Sequence, residues 1–215
     1  MDEQEDYKQI TINKFELWLD LWNFEISDLK SLFEKIDRMD LKTENGIVLS
    51  DEWQKIGVPE DIFPDAARKA FIVMLLIEFD SHLISFCKLL KDANGCSLTM
   101  NDLKGSSIER FKTYISKVIN IEPNYSPSED EQIKGIIELR NCIVHENSTL
   151  TNDNNKRADA IKQLKKHVNG IDIGQGYFIT LSFEACVECA EIVRSYMTKA
   201  YEVAIKKYPD YHEKI

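Results

Sequence analysis

Apolar side chains recur at intervals of three and four along the first long stretch of the chain, at Phe15, Trp18, Leu19, Trp22, Ile26, Leu29, Phe33 and Ile36. Residues at that spacing share one helix face, so the pattern predicts an amphipathic helix from about Tyr7 to Met39. Glu44-Asn45-Gly46 then signals a turn, with a short extended stretch near Ile47 to Leu49. Pro64 suits the first turn of a second helix, which the spacing ends near Asn94-Gly95. Its apolar residues, among them Phe71, Val73, Leu75, Leu76, Phe79 and Ile84, cover far more than one face. Such a helix is expected to be the one most enclosed by its neighbours.

Thr99 and Asp102 resemble a capping pair for a third helix running to about Asn120, and Pro123 closes that segment. The fourth helix has three agreeing start signals: a capping serine at Ser126, a proline at the first helical position, and Glu129 three residues after the cap. It carries Ile133, Ile136, Ile137, Ile143 and Val144. After Asn147 a polar stretch through Asn155 leads to a short basic helix over Lys156 to His167. Gly170, Gly174 and Gly176 frame a small hairpin, Ile171 to Leu181. A last helix begins near Ser182 and runs to about Lys207. The expected fold is all-α: an up-and-down bundle of four to five main helices, one domain over residues 1–215, with an insertion at about 148–181 before the last helix.

The 215 residues are 43% hydrophobic, enough for a sizeable core. With 37 acidic against 27 basic side chains the formal charge is −10. That charge repels nucleic acid at long range, so any RNA contact has to be local. Five cysteines, an odd number sitting mostly inside helical patterns, fit a reducing cytoplasm better than a disulfide framework. Met1 to Tyr7 is acidic and lacks the pattern of a signal peptide. The longest apolar run, Phe71 to Ile77, falls well short of the roughly 20 residues that span a bilayer, so no membrane segment is expected.

On a helical wheel at about 100° per residue, Ile136, Ile137, Ile143 and Val144 all lie within about 80° of Ile133, and Arg140 falls in the middle of that stripe. A guanidinium cannot shed its charge, so placing it on an apolar seam calls for a carboxylate, a phosphate or a subunit interface to receive it. Asn141 and His145 share the adjoining flank, with Glu138 beside them. Such a cluster suits phosphodiester cleavage in RNA without a metal: a histidine takes the proton of a 2′-hydroxyl, and an arginine stabilises charge on the phosphorane. Two histidines, one from each of two subunits, would divide the base and acid roles. Structural ion pairing is the competing reading of the same spacing.

The segment Glu138-Leu139-Arg140-Asn141-Cys142-Ile143-Val144-His145 resembles the R-x4-6-H signature of the HEPN superfamily, in the variant with a polar residue after the arginine. The resemblance is residue-specific from about Glu138 to Asn147, with weaker support from Phe178 to Ser182, and covers most of the chain only as helix order. It implies a helical bundle and a metal-independent endoribonuclease, with no cofactor, whose two motifs meet in a homodimer cleft. Arg140 and His145 would be catalytic, and Asn141 would position one of them or the phosphate. Glu78 and Asp80, which interrupt the apolar second helix, are candidate supporting carboxylates, or they pair with Arg140 or reach solvent. A toxin or phage-defence role, with a cognate inhibitor or defence-system partner, is implied by the resemblance alone. The alternative is a non-catalytic HEPN-like module for dimerisation or for binding nucleotide or a partner protein. One departure is Asn147, where the toxin branch neutralised by nucleotidyl modification carries a tyrosine.

Cys186 and Cys189 have a metal-ligand spacing but sit in mid-helix without a second pair, so they read as small buried hydrophobes and no metal is assigned. Lys156, Arg157, Lys162, Lys165, Lys166 and His167 form the one basic cluster. It reads as a weak RNA-guiding patch or as a solvated helix face. His82, His212, Trp18, Trp22 and Trp53 read as structural or exposed.

Overall fold

The computed structural model describes residues 11–37, 62–150 and 155–214. The turn at Glu44-Asn45-Gly46, the stretch near Ile47 to Leu49, Trp53, Met1 to Tyr7 and part of the polar stretch before Asn155 lie outside the described residues. The protein is an all-α helical bundle with a small insertion. Its helices are α1 (Lys14–Asp37), α2 (Ile62–Asn94), α3 (Ser107–Thr113), α4 (Pro127–His145), α5 (Asn155–Leu164) and α6 (Phe183–Lys207). Strands β1 (Thr11–Asn13) and β4 (His212–Lys214) pair antiparallel, as do β2 (Ile171–Ile173) and β3 (Ile179–Leu181).

Local chemistry sets most of these boundaries. α2 ends where the Cys96 amide donates back to the Lys91 carbonyl at 3.3 Å, closing the last turn. At the start of α4, Ser126 Oγ accepts from the Glu129 amide, and Glu129 Oε2 accepts from the Ser126 amide at 2.9 Å, with Pro127 in the first turn. The third helix departs from expectation. Asp102 accepts from the Thr99 amide and hydroxyl, but the pair caps only a 3-10 turn over Met100–Asp102. A second capping box, Ser106 with Glu109, opens α3, which loosens into a π turn over Tyr114–Val118.

By length and composition the Pro64–Asn94 part of α2 could cross a membrane, with a mean hydropathy of 1.8 over its most apolar 18 residues. A count of uninterrupted apolar residues misses this, because Glu78 and Asp80 break the run. Half of that window is buried within the protein, as in a core helix.

The described residues gather into two compact units. The first draws on the described residues within 1–24, 80–124 and 197–215, and the second on those within 25–79 and 125–196. In the first unit Phe86 is the hub, with ring contacts to Phe15, Phe111 and Tyr201 at centroid distances of 5.8, 6.1 and 4.7 Å. His82 is buried there between Trp18 and Trp22, 3.4 Å from the Tyr201 hydroxyl, while His212 is exposed on β4. In the second unit Tyr196 stacks on Tyr125 at 3.7 Å and meets Phe79 edge-on. Ile133, Ile136, Leu139, Ile161 and Leu164 are buried in this unit, and α4 lies close against α5 at Gly135. A Cβ at that position would lie 2.6 Å from Leu164 Cβ and 3.1 Å from the Ala160 carbonyl, so only glycine lets the two backbones come so near.

Candidate functional site

α4 ends in the motif. The helix closes with the Glu146 amide donating to the Cys142 carbonyl at 3.0 Å and the Ser148 amide to the same oxygen at 3.1 Å. Asn147 and Ser148 then take left-handed backbone, φ +49° and +62°. Asparagine tolerates that region better than bulkier residues do.

The face that α4 buries differs from the expected one. Ile133, Gly135, Ile136, Leu139 and Cys142 are the buried positions, a face rotated by roughly 100° from the stripe centred on Arg140. The close approach at Gly135 turns this side toward α5. Arg140 therefore does not lie in the middle of a buried seam: it is half-buried, as are Ile137, Asn141 and Ile143, while Val144 is 46% exposed and His145 is exposed. Arg140 Nη1 donates to Asn141 Oδ1 at 3.2 Å, and among the described residues no carboxylate forms an ion pair with it. A guanidinium in this setting can hold a phosphate, and an exposed imidazole four residues from Asn141 can move a proton.

The supporting carboxylates divide. Glu138 lies on the same flank of α4 as His145, two turns before it, and accepts from Arg157 Nε at 2.8 Å. Arg157 Nη1 also donates to Glu146, so this α5 side chain, 15% exposed, is clasped between two carboxylates two turns apart. Both carboxylates raise the Arg157 pKa above its ordinary value, outweighing the opposing effect of burial. Arg157 therefore ties α5 to the end of α4 through two ion pairs. Glu78 is half-buried in the second unit, and Asp80 belongs to the first. Of the remaining basic cluster, Lys165 pairs with Asp172 at 2.9 Å and Lys166 donates to Gln163, while Lys156, Lys162 and His167 are exposed. Lys156 lines a groove of about 420 Å³ between α4 and α5 together with Glu131, Lys134 and Asp159, where charges of both signs alternate.

Sequence reasoning missed the contribution of the hairpin. Lys69 on α2, 9% exposed, pairs with Asp65 at 2.5 Å and lies 4.0 Å from the centroid of the Phe178 ring. Asp65 also accepts from the Leu181 amide, and Arg68 donates to the Leu181 carbonyl, so the insertion is bound to the start of α2. The signal for this was the Asp65 and Lys69 spacing, four residues apart at the head of α2. Among the described residues no three of His, Cys, Asp or Glu gather as metal ligands, and Cys186 and Cys189 are both buried.

The thiols are placed for inertness. Burial pushes the Cys142 thiol up to about 11, with Glu146 adding to the effect, and burial alone pushes Cys87 up to about 12. Since the thiolate is the reactive form, iodoacetamide at pH 8 is expected to label the half-buried Cys96 well ahead of Cys87, Cys142 and Cys189, as read by peptide mass mapping. A raised folded-state pKa favours the folded state below the unfolded value of 9.0, and this contribution fades as pH climbs from there toward 11. Stability read by urea unfolding should therefore fall as pH rises through that window. A comparison with known protein families, with curated proteins and with solved structures finds no match to this chain.

Proposed function

We propose that the protein is a metal-independent endoribonuclease of HEPN type, acting in the cytoplasm as a homodimer with RNA as its substrate. The observation that carries the reading is the grouping of Arg140, Asn141 and His145 at the end of α4 beside an exposed Val144, with Arg140 and Asn141 half-buried, His145 exposed, and no carboxylate among the described residues neutralising the arginine. A second copy laid on this face would bring two such sets together. In the reaction the 2′-oxygen attacks the adjacent phosphorus and its proton passes to one imidazole. The bond to the 5′-oxygen breaks, and that oxygen takes a proton from the partner's His145, leaving a 2′,3′-cyclic phosphate and a free 5′-hydroxyl. Arg140 carries the charge that builds on the phosphorane, with Asn141 fixing its orientation.

The test is cleavage of total and transfer RNA in EDTA by the wild type and by His145→Ala, with light scattering on both. His145→Ala is expected to lose about 100- to 10,000-fold in rate, the usual worth of a general acid–base group, while remaining dimeric and folded. A dimer that never cuts would favour the HEPN-like assembly module. A monomer that cuts as fast without His145 would end the proposal.

A further inference from the structure

The geometry points to Tyr177 as a stacking platform for an unpaired base of the RNA strand, a few nucleotides from the phosphate held at Arg140; this rests on the ribonuclease reading above. Tyr177 sits in left-handed backbone, φ +62°, directly after Gly176 at φ +76°. A bulky residue is rare in that region and is strained there. Burial does not compensate the strain, since Tyr177 is 55% exposed. For folding alone, glycine or asparagine would serve the turn better, so the aromatic ring calls for an explanation outside the fold.

The turn that carries the ring is tied on both sides. The Tyr177 amide donates to the Gly174 carbonyl at 3.1 Å, and its carbonyl accepts from the Leu150 amide at 3.0 Å. Phe178 forms a β-bridge with Thr149, and the Ile179 amide donates to the Ser148 carbonyl at 2.8 Å. On the other side Phe178 lies over the Lys69 ammonium. The ring thus stands on a braced turn and loses little freedom on meeting a ligand. Its carbonyl is bonded to a residue five positions after His145, and five residues of extended chain reach at most ~17 Å, so the platform lies within a short strand's reach of the motif.

The occupant follows from charge. The chain carries −10 overall, Arg157 is held by Glu138 and Glu146, and Lys165 by Asp172. In a chain this acidic, affinity for a strand has to draw on a source that does not depend on charge. Stacking of a base on an exposed aromatic ring is such a source, and it accepts any of the four bases.

The experiment uses the His145→Ala protein, which keeps the strand intact, with fluorescence anisotropy of a short unstructured labelled RNA and of the same RNA with its bases removed. Tyr177→Phe should bind like its parent. Tyr177→Gly, which suits the backbone, should bind tenfold or more weakly while melting at the same or a higher temperature, and the base-free strand should not distinguish the two. Binding of Tyr177→Gly within twofold of its parent, or no RNA binding by any of the proteins, overturns the platform. Cleavage is measured in parallel with His145 present. Cutting by a protein whose binding ignores Tyr177 overturns the platform and leaves the nuclease standing. Tyr177-dependent binding without cutting supports the platform and removes the nuclease.

Discussion

Arg157→Ala is expected to cost about 2–4 kcal/mol of stability, because breaking a buried ion pair from one side leaves its partner charges uncompensated. Two carboxylates lose their cation together, and the side chains concerned are 26% and 17% exposed, close enough to the interior for water to compensate poorly. Some access remains, which places the estimate below the top of the range for fully buried pairs. Arg157→Lys should recover only part of the loss, since an ammonium cannot present two donors along a planar fork to two acceptors. The decisive comparison adds Glu138→Gln and Glu146→Gln to Arg157→Ala. With no charge left to strand, the triple variant should be more stable than Arg157→Ala in urea unfolding. Equal stability of Arg157→Ala and the wild type would show that the clasp contributes nothing.

Gly170→Ala is expected to lose a similar amount, through a different cause. Gly170 has φ +76°, and a Cβ there would lie 1.9 Å from Ser182 Oγ and 2.7 Å from Ser182 Cβ. Ser182 cannot simply swing aside: its amide donates to the Gly170 carbonyl at 2.8 Å, and its hydroxyl accepts from the Ala185 amide in the first turn of α6. The alanine therefore adds left-handed strain of about 1–2 kcal/mol and displaces a helix cap worth about 1 kcal/mol. At this chain length each kcal/mol lowers Tm by roughly 2–4 °C, so a loss of about 5–10 °C is expected by thermal melting. Gly174→Ala is the matched control. Its nearest neighbour is the Phe178 carbonyl at 3.7 Å, its φ is not positive, and its Tm should scarcely move.

Much of the helix order was legible because its signals are local. Ser126, Pro127 and Glu129 lie within four residues and act on one another, so the start of α4 could be placed from sequence. The same holds for Pro64 near the start of α2 and for the glycines around the hairpin. What depends on contacts distant in sequence was not legible. The buried face of α4 was misjudged because bulk was taken as the sign of burial. Ile137 and Val144 have bulk, but Gly135 sets the face, and a glycine adds nothing to a hydrophobic pattern. The clasp on Arg157 was not legible because Glu138 and Glu146 lie 19 and 11 residues away in the chain. For the candidate site, the sequence could place Arg140 on the apolar stripe with Asn141 and His145 on the flank beside it. It could not say whether that flank pointed inward. Tyr177 had no signal beyond its neighbouring glycines, since backbone handedness at an aromatic residue is set by the hydrogen bonds of the finished turn.

The pairing of β1 with β4 has a mechanical consequence. Thr11 faces Lys214 and Asn13 faces His212, and the Asn13 side chain also holds the Tyr208 carbonyl at 2.8 Å across 195 residues of chain. Contacts so distant in sequence form only after the intervening chain has compacted, so this ladder is among the last pieces of structure to appear on refolding. If the two ends are pulled apart, the load falls first on the outermost pair, Thr11 with Lys214, and the antiparallel ladder opens one bond at a time. Under tension applied at Thr11 and Lys214 this short ladder would unzip at low force.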